Sequence, residues 1–176
     1  MQPRRSLKSR GLQLLAQRDQ SRLELRRKLL RHAARDGDSQ ETADRDGDAA
    51  TATAADQVEA LLDWLEANRF LSGDRFVESR VHAREARFGN LRIRSELAQH
   101  DLALPPELAA YLAETEWARA SAVRERRFAS APLDAAERAA QSRFLAARGF
   151  SPEVVHRLMR QLRSPRRADD ACEAAG

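Results

Sequence analysis

The sequence predicts an all-α protein built from three tandem three-helix repeats. Apolar residues recur at helical spacing along most of the chain, and no stretch alternates apolar and polar residues as a strand would. Composition points the same way. Arg, Ala, Leu and Glu abound, β-branched residues are sparse, and aromatics are only 5% of the 176 residues. Hydrophobic residues reach 42%, but Ala supplies many of them, so the core is thin and suits repeated helix packing better than one thick globule. Finally, one short pattern occurs three times, each time where a helix is expected to end: Lys28-Leu29-Leu30-Arg31-His32-Ala33, Glu96-Leu97-Ala98-Gln99-His100-Asp101-Leu102 and Phe144-Leu145-Ala146-Ala147-Arg148-Gly149-Phe150. Leu29, Leu97 and Leu145 lie 68 and 48 residues apart, and an unusual stretch from about Ala34 to Ala54 accounts for the excess. A period near 48 residues is what a three-helix unit needs. The expected divisions are a first repeat at 1–72 with a flexible acidic loop at 34–54, a second at 73–115, a third at 116–163 and a disordered tail at 164–176.

Ser6 to about Gln17 reads as the first helix, with Leu7, Leu14 and Leu15 on one stripe. Ser21-Arg22-Leu23-Glu24 is a capping box, in which the Ser21 oxygen takes the Glu24 amide and the Glu24 carboxylate returns to the Ser21 amide. The helix it opens turns Leu25 and Leu29 inward and Arg22, Arg26 and Arg27 outward. Asp36 to Thr53 has no Leu, Ile, Val or Phe and cannot offset the entropy of ordering, so it reads as a loop. Val58, Leu61, Leu62 and Leu65 then follow the amphipathic template, with Trp64 alongside.

Asp74 to Leu102 is the stretch around which the chain is organised. It reads as a basic helix, a break at Gly89 and a second helix. Val77, Val81, Arg84 and Phe88 form a stripe that is cationic at one turn, and Ile93 and Leu97 stack on the second helix. Gly89 and Asn90 are expected to supply the left-handed backbone that ends a helix. Pro105 and Pro106 start the next helix, carrying Leu108, Tyr111 and Leu112. A further helix is expected from near Glu116, with Trp117, Ala120 and Ser121 on a small-residue face. Asp134-Ala135-Ala136-Glu137 is a second box of the capping type. Gly149 closes its helix, Phe150 packs back, and Ser151-Pro152 opens a last helix with Val154, Val155, Leu158 and Leu162 on its apolar face.

Taken together, four segments resemble the RecX family of recombination regulators. They are Ser21-Arg22-Leu23-Glu24-Leu25-Arg26-Arg27-Lys28-Leu29, Phe70-Leu71-Ser72-Gly73-Asp74-Arg75-Phe76, Phe88-Gly89-Asn90-Leu91-Arg92-Ile93-Arg94-Ser95-Glu96-Leu97, and Arg143-Phe144-Leu145-Ala146-Ala147-Arg148-Gly149-Phe150-Ser151. Their order and spacing carry the likeness, which spans most of the chain outside the acidic stretch. Two departures stand out. Gly73 stands where the family usually has the first of two Asp residues, and the loop after Leu29 is longer and more acidic than usual. The resemblance implies an elongated, curved helical array that binds the RecA recombinase filament and holds down its ATP hydrolysis and strand exchange, with weak DNA binding as a possible accompaniment. It also implies a part in DNA repair, homologous recombination and the SOS response.

Net charge is only +4, but it is unevenly spread. Residues 1–35 carry eleven basic and two acidic side chains, residues 36–56 one basic and seven acidic, and residues 117–149 seven basic and three acidic. A solitary surface Arg usually pairs with a Glu one turn away. The recurring clusters instead suggest a basic track aimed at an anionic surface. The candidate contact residues are Arg22, Arg26 and Arg27, then Arg84, Arg87, Arg92 and Arg94 with Arg80 beside them, then Arg124, Arg126, Arg127, Arg143 and Arg148. Tri-helical units with a basic second helix also resemble helix-turn-helix domains, so a nucleic-acid-binding module is the alternative.

Other classes find no support in the residues. His32, His82, His100 and His156 never occur at metal-ligand spacing, and His32 and His100 are expected to serve helix C-termini when charged. No Gly-rich phosphate loop or nucleophile elbow occurs, so neither enzyme chemistry nor a cofactor or metal is expected. No window of 18 apolar residues occurs, and the basic N-terminus lacks an apolar signal core. Cys172 is the sole cysteine, which excludes an internal disulfide and fits a reducing cytoplasm. A monomer is expected.

Overall fold

The computed structural model describes residues 6–37 and 53–163. Among them are eight helices and no strand: α1 Leu7–Gln17, α2 Arg22–Gly37, α3 Ala54–Ala67, α4 Gly73–Glu85, α5 Asn90–Ala98, α6 Pro106–Glu125, α7 Ala135–Ala147 and α8 Pro152–Arg163. The described chain is thus all-helical, as its apolar spacing requires, and consistent with helices grouped in threes. Most of the acidic stretch and the whole tail from residue 164, with Cys172, lie outside the described residues. Only the ends of the acidic stretch fall within them. Ala34 to Gly37 continue α2, and Thr53 caps α3 with a full reciprocal box: Asp56 N donates to Thr53 Oγ1 at 3.2 Å, and Thr53 N donates to the Asp56 carboxylate at 2.9 Å.

Two compact units divide the chain: residues 1–80 with 98–102, and residues 81–97 with 103–176. The first is held by Leu14, Leu25, Leu29, Val58, Leu62, Leu65 and Leu71, with Leu7, Leu15, Leu61 and Trp64 packed against them. These are the stripes read from the sequence, and their burial supplies the driving force that short helices lack alone. In the second unit, Ala120, Val123, Leu145, Phe150, Val155, Leu158 and Met159 form the core, flanked by Trp117, Phe144, Val154 and Leu162. Val81, Ile93, Leu97 and Leu112 are buried in the same unit.

Several local expectations change. The helices expected to meet near Glu116 are one continuous helix, α6, because nothing between Leu112 and Trp117 stops helical hydrogen bonding. The first copy of the repeated pattern does not end α2, which continues one more turn to Gly37. The Ser21 box is half formed. Glu24 N donates to Ser21 Oγ at 3.1 Å, but the Glu24 carboxylate is held by Arg18 and by Lys28 at 2.9 Å. These cations outcompete a neutral amide and, against the opposing effect of burial, lower the Glu24 pKa. At Asp134 the same thing happens in milder form: Glu137 N donates to Asp134 Oδ1 at 2.7 Å, while the Glu137 carboxylate takes the amide of Leu133 at 2.9 Å.

Left-handed backbone occurs at Arg69, Asp101 and Gly149, with φ of 59°, 57° and 78°. Each lies four residues after a buried leucine (Leu65, Leu97, Leu145), so the helix-ending turn recurs, though not at Gly89. Gly89 is required for a different reason. A Cβ there would lie 2.2 Å from Gly149 O and Phe150 N, so only glycine lets the two backbones meet. The contact is sealed by Gly89 N to Arg148 O and Leu91 N to Gly149 O, both 3.0 Å.

Candidate functional site

The second unit builds its basic surface on a buried polar hub. Glu116 is 4% exposed, and its carboxylate accepts Asn90 N at 3.0 Å, Ser151 N at 3.1 Å and Ser151 Oγ at 2.9 Å. Asn90 opens α5 and Ser151 precedes α8, so one carboxylate caps two helix N-termini where the partial positive charge of each is concentrated. Asn90 also donates from Nδ2 to Leu112 O at 3.1 Å and accepts Arg119 on Oδ1 at 2.6 Å. Arg119 reaches the carbonyls of Phe88 at 2.9 Å and Leu112 at 2.8 Å, tying the end of the α4 segment to α6. Burial lowers the Arg119 pKa, and the carboxylates of Glu116 and Glu85 work against that shift, so the guanidinium keeps its charge. Sequence reasoning gave none of the three this role, and Asn90, expected to end a helix, opens one instead. Glu116 marked only the expected start of a helix, and nothing in its spacing announces that two turns distant in sequence converge on it.

Around this hub, arginines lie over half-buried phenylalanine rings. Arg84 and Arg92 flank Phe88 at 5.6 and 5.3 Å from its centroid, and both pair with Glu96, at 2.9 and 3.6 Å. Arg127 lies 5.3 Å from Phe128, and Arg148 lies 3.8 Å from Phe144. Phe128 and Phe144 meet edge to face at 5.1 Å, so the last two arginines cap the two ends of one aromatic pair. Arg126 donates to Ala86 O at 2.5 Å, and the Arg148 carbonyl takes Gly89 N. The structure therefore brings Arg84, Arg92, Arg126, Arg127 and Arg148 around the α4–α5 turn and the ends of α6 and α7. Arg87, Arg94 and Arg143 are exposed and form no ion pair with another described residue. Arg124 stands apart from the surface group. It is 5% exposed and donates to Gln141 Oε1 at 2.9 Å and to the Ser130 carbonyl, which makes it a buried brace.

In the first unit, the basic cluster is largely neutralised. Arg22 binds Glu59 at 2.8 Å, Asp63 at 2.7 Å and Glu66 at 2.6 Å, and Arg26 also binds Glu59. Burial disfavours the Arg22 charge, but the three carboxylates more than offset this and raise its pKa. The signal that could have found this is Glu59, Asp63 and Glu66 at helical spacing on α3, a face the apolar reading of that helix passed over. Arg27 is exposed. Arg80 lies over Phe76 at 5.1 Å. His100 does not serve a helix end as a cation. Its Nδ1 lies 2.8 Å from Ser21 Oγ and its ring meets Phe76 edge-on at 4.9 Å. Burial, with Arg80 nearby, lowers its pKa and favours the neutral imidazole. A Cβ at Gly73, where the family usually has Asp, would lie 3.2 Å from Leu102 Cδ2, so the glycine suits a close contact.

Among the described residues, no group of three or more His, Cys, Asp or Glu could hold a metal ion, and no helix is long and apolar enough to cross a membrane. Residues 114–159, which hold most of the hub and the C-terminal arginines, match the family model described as RecX, third three-helix domain. The chain is 47% identical over 156 residues to the regulatory protein RecX of Ralstonia nicotianae, covering 88% of this chain and 86% of that protein. The regulatory protein RecX of Ralstonia pickettii is 44% identical over the same shares. That of Herbaspirillum seropedicae is 45% identical over 158 residues, 89% of this chain and 88% of the relative.

Proposed function

The chain belongs to the RecX family of regulatory proteins, and from that premise we propose that it binds the RecA recombinase filament and restrains its ATPase and strand exchange. It acts by binding, without catalysis of its own, as a monomer in the cytoplasm. The three repeats at 1–72, 73–115 and 116–163 are the proposed units of contact, with α6 shared by the last two. The observation that carries this reading is the set of arginines held over Phe88, Phe128 and Phe144. Ring contacts and the Glu96 pairs fix guanidinium positions in advance, which lowers the entropy cost of meeting a carboxylate-rich protein surface. Arg22 and Arg26 are engaged within the first unit, so the weight of the contact falls on the second.

Reversal of the ring-held Arg92 and Arg127, together with the exposed Arg87, Arg94 and Arg143, to Glu tests the reading. All five are exposed, so the fold should persist with unchanged helicity by circular dichroism. Inhibition of DNA-dependent ATP hydrolysis by the recombinase should fall at least tenfold in potency, an order-of-magnitude figure for losing several complementary charges. Undiminished inhibition would reject these arginines as the contact. Any weak DNA affinity should be separable by its steep dependence on salt.

A further inference from the structure

The loop between α6 and α7 holds one leucine out in solvent on a braced backbone. Leu133 is 85% exposed, against 46–52% for the other exposed large hydrophobics, Phe70, Leu91 and Tyr111. Its loop is tied at both ends. The buried Arg124 donates to the Ser130 carbonyl and to Gln141, Pro132 is buried, and Glu137 takes the Leu133 amide at 2.9 Å. Phe128 anchors the start of the loop on Phe144. A fully exposed leucine on a slack loop would mean little, since single exposed apolar residues are common. Here a buried guanidinium and a carboxylate are both committed to holding the loop that presents it.

We infer that Leu133 is an apolar anchor for a protein partner, inserting into a pocket with an apolar floor and a carboxylate rim. The rim follows from charge complementarity, because Arg126 and Arg127 stand exposed at the head of the same loop. A phosphate backbone offers nothing that would recognise leucine, and a wedge between base steps is driven in from a minor-groove platform rather than from the tip of a surface loop, so the partner argued for is a protein. A pre-braced anchor binds without first losing its own freedom. The inference rests on the proposed function and assigns its apolar contact.

The test uses the full chain and recombinase filament assembled on single-stranded DNA with a non-hydrolysable nucleotide. Leu133→Ser should weaken binding about tenfold, the loss expected when one leucine can no longer leave water. The change should lie mainly in the dissociation rate, with unchanged thermal midpoint and unchanged salt slope. Leu133→Met, of similar volume, should bind within about threefold of wild type. Wild-type binding with Leu133→Ser within twofold overturns the anchor and leaves the proposed function standing. Loss of a concentration-dependent dimer in Leu133→Ser overturns it also, because the leucine would then serve self-association. Failure of the wild-type chain to bind filament overturns both.

Discussion

Removing the Glu116 carboxylate should loosen the second unit more than any other single polar change. Glu116→Ala leaves three donors without their acceptor: the amides of Asn90 and Ser151 and the Ser151 hydroxyl. Each such bond contributes about 1 kcal/mol net, and the loss is larger where the group cannot reach water. Arg119 loses a nearby compensating charge as well. The expected cost is about 3–4 kcal/mol. Glu116→Gln keeps shape and one acceptor oxygen, and should cost about 1–2 kcal/mol. Trp117 sits next in sequence and packs on the core of the same unit, so its fluorescence reports the right structure. Urea unfolding in a Trp64→Phe background, which silences the first unit, gives the comparison. A Glu116→Ala loss below about 1 kcal/mol would refute the shared-cap argument, since even one ordinary N-cap is worth that much.

Two further outcomes follow from single contacts. Gly89→Ala should cost at least about 2 kcal/mol by the same assay, because its Cβ must push the Gly149 and Phe150 backbone aside from 2.2 Å; a change under about 0.5 kcal/mol would show that the two turns separate freely. For His100, the folded pKa lies below its ordinary 6.5, so the unfolded chain binds the proton more tightly. Its stabilising contribution is complete above pH 6.5 and declines as pH falls toward the folded pKa. The neighbouring charges are Arg80, Glu24, Arg27 and Arg18. His100→Gln should flatten the acid-side decline in first-unit stability, followed by Trp64 fluorescence, and an unaltered slope would contradict the assignment.

The helices themselves were legible because their apolar residues recur at 3.6-residue spacing; Leu25, Leu29, Val58, Leu62 and Leu65 are buried as that spacing requires. The helix starts at Pro106, Asp134 and Pro152 were legible from local capping chemistry. What escaped was non-local. The role of Gly89 depends on Gly149, sixty residues on in sequence. Glu116 depends on Asn90 and Ser151, and Arg22 on three carboxylates of α3. Periodicity shows which face of a helix is buried, but not which distant polar atom will meet it. The same limit explains why Arg84 and Arg124 read alike: both are arginines on helices, yet one rests on Phe88 near the surface and the other braces a loop from inside.

The most direct test of the central claim is a titration of the wild-type chain into recombinase hydrolysing ATP on DNA, repeated with spare DNA added at fixed recombinase. A chain that docks on the filament protein should inhibit below one copy per recombinase protomer, and added DNA should leave that potency unchanged. Inhibition that disappears as DNA is raised, and follows DNA affinity across salt, would contradict the account and identify DNA as the target.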